Sequence, residues 1–119
     1  MIWLEGRVAA GLGRPGEGAA AFEQVRQEFR ERGMAYDYGL VTLELAALHL
    51  AQGRNAEVRE LAPQLVWIFE VNGIHREALA ALRLFRQAAL EERLTGELAR
   101  RMVRYLYRAQ DNPELRFEP

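Results

Sequence analysis

The sequence predicts an all-α fold in which about three antiparallel helix hairpins, six helices in all, stack into a solenoid. Three observations predict it. Apolar residues recur at three- and four-residue spacing along most of the chain, and no stretch alternates strictly as a strand would. Glycines punctuate that pattern at Gly13, Gly33, Gly53 and Gly73. Residues 39–53, GLVTLELAALHLAQG, are apolar nearly all round, broken between Leu40 and Ala51 only by Thr42, Glu44 and His49. A helix of that kind needs cover on most sides, and it is too short and too polar to take that cover from a bilayer. Other helices must supply it.

The chain opens on Met1-Ile2-Trp3-Leu4, bulky residues with no capping residue ahead of them, whereas helix starts usually carry Ser, Thr, Asp or Asn. We therefore expect the C-terminal part of a longer protein, whose upstream helices cover Trp3; a short native N-terminus is the other reading. The first helix runs to about residue 11, and Gly13-Arg14-Pro15-Gly16 turns the chain, with Pro15 placed to open the next helix. Over residues 17–32, Ala21, Phe22, Val25 and Phe29 form the apolar face and Glu23, Arg26 and Arg30 the polar one, ended by Gly33. The third helix covers residues 35–52. The fourth, residues 55–72, puts Val58, Leu61, Leu65, Ile68 and Phe69 on one face, with Pro63 a candidate kink and Gly73 the cap. The fifth, residues 74–92, buries Ala78, Leu82, Phe85 and Ala89. Thr95 is the N-cap of the sixth, whose apolar face is Leu98, Met102, Tyr105, Leu106 and Ala109. Asp111-Asn112-Pro113 stops it. The helical domain is thus residues 1–109, and residues 110–119 are a tail pinned by Phe117.

Composition bounds the chemistry. At 119 residues, half of them apolar, the chain suffices for one domain burying about two-thirds of its unfolded surface. It has no cysteine, which excludes disulfides and thiolate sites and makes a reducing cytoplasm the expected compartment. Serine is absent too, removing the commonest nucleophile. All sixteen basic residues are arginine, and Glu outnumbers Asp fifteen to two, the usage of a GC-rich, bacterial genome. A net charge of −1 gives no overall attraction to nucleic acid or to an anionic membrane. His49 and His75 stand at no metal-ligand spacing, and no glycine-rich phosphate loop occurs, so neither an enzyme nor a cofactor or metal is expected.

Sliding the chain against itself by 40 residues aligns the punctuation without a gap. Gly13-Arg14 falls on Gly53-Arg54, Gly33 on Gly73, Met34 on Ile74, Phe29 on Phe69 and Val25 on Leu65. One hairpin cannot bury its own apolar face, so repeated hairpins stack. Each unit resembles a tetratricopeptide repeat (TPR-like). It has a small residue midway along the first helix (Gly6, Ala46), a turn glycine (Gly13, Gly53), and small or apolar residues in the second helix (Gly18, Phe22, Val25; Val58, Ala62, Leu65). The period exceeds the usual length of about 34 residues. It is similar to the longer repeats in regulatory regions of bacterial transcription activators. Arg86 and Arg93 replace the small residue and the turn glycine in the third unit, as in a degenerate terminal repeat.

The resemblance implies a right-handed superhelical stack that is a non-catalytic protein-interaction module, with its ligand on the concave side. There it places Trp3, Arg7 and Ala10, then Leu40, Leu43, Ala47 and Leu50, then Arg83 and Gln87. An apolar floor flanked by arginines suits a peptide or protein partner with apolar anchors and acidic residues. Three other readings stand beside it. The chain is a sensory or self-association domain of a bacterial transcription regulator, dimerising through Trp3 and Leu4; or the concave face is one that a further repeat or another domain of the parent covers; or the chain is a small-molecule or nucleic-acid binder. Glu44 either anchors a cationic ligand group or pairs with Arg7 or Arg83. Arg93, Arg100, Arg101, Arg104 and Arg108 offer phosphate contacts without a base-reading element, so a solvated face is the better reading and nucleic acid is not an expected partner. Trp67 lies off the face of Val58, Leu61 and Leu65, where it packs between repeats or, if exposed beside Val66 and Val71, marks an interaction patch.

Overall fold

The computed structural model describes residues 15–118, with side chains from Gly18 onward. Five helices follow in order: α1 (Pro15–Glu31), α2 (Ala35–Ala51), α3 (Asn55–Val71), α4 (Arg76–Leu90) and α5 (Gly96–Asp111). No strand occurs among the described residues. These are the second to sixth predicted helices, with ends within two residues of expectation. The predicted first helix lies outside the described residues. Thr95 caps α5 as expected, its hydroxyl accepting from the Leu98 amide at 3.1 Å.

The turns explain why the ends were legible. Past each of α1 to α4, an amide reaches back five residues: Met34 to Phe29 at 2.9 Å, Arg54 to His49 at 2.8 Å, Ile74 to Phe69 at 3.1 Å and Arg93 to Ala88 at 2.8 Å. This Schellman closure needs a left-handed residue just before the donor. Gly33 (φ 68°), Gly53 (φ 72°) and Gly73 (φ 62°) supply it, but in the fourth turn Glu92 takes φ 57°. The irregularity of the third unit is therefore one of position as well as of residue type, since the left-handed site falls one residue before Arg93. Exposed Glu92 also pairs with Arg59. Both Glu92→Gly and Glu92→Ala lose the pair, but only alanine keeps the strain, so we expect the glycine variant to be the more stable by about 1 kcal/mol. Urea unfolding midpoints of the two variants check this.

The helix neighbours depart from an open stack. α1 and α3 flank α2, and α4 packs on α3. In a third antiparallel hairpin α5 would lie along α4, yet it touches α4 lightly and lies mainly along α2. Two phenols tie this closure. Tyr36 on α2 donates to the Leu106 carbonyl, and Tyr107 on α5 donates to Glu44 Oε1 at 2.9 Å. Burial holds the Tyr36 phenol well above its ordinary pKa, keeping it a donor throughout the neutral range. Met102, Leu106 and Ala109 are fully buried, so the apolar face of α5 is spent on the core.

Candidate functional site

The predicted groove floor is core. Leu40 is 1% exposed and Leu43 0%, while Ala47 and Leu50 are half-buried against the same cluster. The helical period puts Leu40, Glu44 and Ala47 on one face, the face that the bond from Tyr107 assigns to α5. The sequence reading left that face open because it gave α5 to α4. Arg83 does not flank these leucines. It is exposed and paired with Glu70 at 3.4 Å, Glu44 accepts from Tyr107, and Gln87 bonds Glu91 at 2.6 Å; Arg7, the other partner expected for Glu44, lies outside the described residues. Trp3, Arg7 and Ala10 lie outside the described residues. Of the described residues expected to form one groove, Leu40 and Leu43 are thus interior, Ala47 and Leu50 half-buried, and Arg83 and Gln87 exposed on α4.

An open apolar surface is found instead where α1 ends, α2 begins and α3 passes. Trp67 is 62% exposed and Val71 61%, so Trp67 does not serve to pack between repeats. Val66, expected beside them, is buried. Trp67 and Val71 are four residues apart on α3 and share a stripe that turns away from Leu65 and Ile68. The turn at Gly33 brings Phe29 and Met34 to the same place, closing a groove of about 410 Å³ that Tyr38 also lines.

One wall is held by a network that the periodicity hid. Arg26 reads as a surface charge, but its side chain is only 14% exposed. It donates to Gln64 Oε1 at 2.6 Å, to Thr42 Oγ1 at 2.9 Å and to the Tyr38 hydroxyl at 3.4 Å, and its guanidinium lies 5.2 Å from the Tyr38 ring centre. Three helices are fastened by one side chain, which presets the groove. Arg30 is the one charged side chain lining it, and no carboxylate pairs with Arg30 among the described residues.

His49 is buried and His75 half-buried, each as a packing residue. Among the described residues, no group of three or more His, Cys, Asp or Glu gathers as a metal site would require. No helix among them is long and apolar enough to cross a membrane. No protein-family model, curated protein or solved structure matches this chain.

Proposed function

We propose that the chain is a non-catalytic protein-interaction module, built from TPR-like hairpins whose last helix folds back. On this reading it docks an amphipathic peptide segment in the Trp67 groove rather than on a concave face. The carrying observation is the exposure of Trp67 at the rim of a preset apolar groove. A tryptophan left this open forgoes burial of roughly 100–150 Å², on the order of 3 kcal/mol that a partner recovers. Tryptophan and arginine are also the side chains that dominate binding at interfaces. The groove has room for one or two apolar side chains, and unpaired Arg30 calls for a carboxylate beside them. A helix with apolar anchors and flanking glutamates meets both demands. The cysteine-free, all-arginine composition supports a bacterial, cytoplasmic setting, and the resemblance of the 40-residue repeat to those of bacterial transcription activators supports a regulatory protein as the parent.

A synthetic amphipathic helix carrying leucine anchors and glutamates tests this by calorimetry and by the Trp67 indole resonance. Trp67→Ala should weaken binding at least about tenfold while changing folding stability by no more than about 0.5 kcal/mol. Arg30→Glu should weaken it less. Equal affinity of Trp67→Ala and the parent overturns the assignment of the groove. Concentration-dependent sedimentation that Trp67→Ala abolishes transfers the groove to a second copy of the chain, a self-association through Trp67 rather than through Trp3 and Leu4.

A further inference from the structure

We propose that the C-terminal tail completes an anion site on α5, one that takes a small ligand bearing two or more phosphoryl groups. Arg101, Arg104 and Arg108 are spaced at i, i+3 and i+7, which sets three guanidinium groups on one face over about 10 Å of helix. The tail brings a fourth. The Tyr105 hydroxyl donates to the Leu115 carbonyl at 2.8 Å, and the Phe117 ring meets the Tyr105 ring edge-on at 5.4 Å. Arg116 is thereby held between two anchored neighbours. It lines, with the three α5 arginines, one cleft of about 380 Å³. Arg101 fixes the end of the tail by donating to the Glu118 carbonyl at 2.6 Å while lying 5.8 Å from the Phe117 ring centre.

The charge in this cleft is not neutralised locally. Four guanidinium groups face one lining carboxylate, Glu118, and the other contact is Arg116 with Glu77 at 3.7 Å. Arg104 and Arg108, like Arg30 and Arg100, make no ion pair or hydrogen bond with any described residue, while Arg59, Arg83 and Arg93 each take a glutamate. Like charges one turn apart on a helix repel. The negative end of the helix dipole relieves Arg108 in the last turn, but not Arg101 in the first half of α5. A merely solvated face would not explain why a pinned tail adds another arginine to the same cleft.

Arginine forks match phosphoryl oxygens two at a time, and a spread of about 10 Å exceeds what one phosphoryl group reaches. The volume is that of small-molecule clefts. The tail walls the cleft on one side, and the chain's net charge of −1 gives a long polyanion no attraction beyond the cleft, so the geometry favours a compact oligophosphate over nucleic acid.

Calorimetry and arginine side-chain NMR with inorganic tripolyphosphate, at physiological ionic strength and without magnesium, test the proposal on the whole chain. One saturable site is expected, with shifts at Arg101, Arg104, Arg108 and Arg116. The Arg104→Gln plus Arg108→Gln variant should bind at least about tenfold more weakly, the loss of a charge-assisted bond or more. Phe117→Ala removes no charge but frees the tail, and it too should weaken binding several-fold with helix content unchanged. Absence of saturable binding, or parental affinity in both variants, overturns the site. Displacement of tripolyphosphate by an oligoglutamate of equal charge, or tighter binding of a single-stranded oligonucleotide, overturns the ligand class.

Discussion

Gly39→Val is expected to destabilise the protein by about 3 kcal/mol or more, an overpacking cost at the upper end of the usual range. A Cβ placed on Gly39 meets Phe69 Cε1 at 2.2 Å and Cζ at 3.0 Å. Phe69 has no room to give way, being 0% exposed and packed against the Tyr36 ring at 5.4 Å between centres. Helix α2 therefore approaches α3 across a bare backbone. Gly39→Ala gains about 1 kcal/mol of helix propensity and still sets one methyl against the ring, so we expect a net loss of about 1–2 kcal/mol. Phe69→Leu removes the clashing atoms, and in the Gly39→Ala background it should cost less than it does alone. Urea denaturation of the four proteins in this cycle gives the coupling energy. If Gly39→Ala proves more stable than the parent, propensity has won and the close approach is not what holds these helices.

Gly39 also marks the limit of what local pattern conveys. Gly33, Gly53 and Gly73 announce themselves because each follows an apolar run and ends it. Gly39 sits inside a helix at the head of its apolar run and looks like a propensity defect, and its reason is Phe69 in the next helix, which periodicity along one helix does not report. The same limit misplaced α5. Met102, Tyr105, Leu106 and Ala109 correctly mark the side of α5 that turns inward, with Ala99 rather than Leu98 buried in its first turn, but a stripe does not say which helix receives it. The 40-residue repeat assigned α4, while the bonds of Tyr36 and Tyr107 join α5 to α2. Angular position likewise set Trp67 apart from the Leu65 face without deciding whether a neighbour covered it. Arg26 reads only as part of a polar face because its partners, Thr42 and Gln64, lie on two other helices.

Leu43→Asp separates a groove floor from a core by the size of its effect. On an open concave surface the substitution trades one exposed side chain for another and costs about 0.5 kcal/mol or less. In the structure Leu43 is 0% exposed. The change then forfeits the 2–5 kcal/mol typical of truncating a buried leucine and adds the cost of a buried carboxylate without a partner. Against the 5–15 kcal/mol that holds a typical domain, a penalty of that size leaves little or nothing of the folded state. We expect Leu43→Asp to be largely unfolded by far-UV circular dichroism at 25 °C, while Trp67→Asp, at a surface position of α3, melts within a few degrees of the parent. A lost partner in the Leu43→Asp variant would then report unfolding and say nothing about a groove at that position. A parental melting curve for Leu43→Asp gives the opposite answer: α5 would not cover α2, and the open stack of hairpins would again describe the molecule.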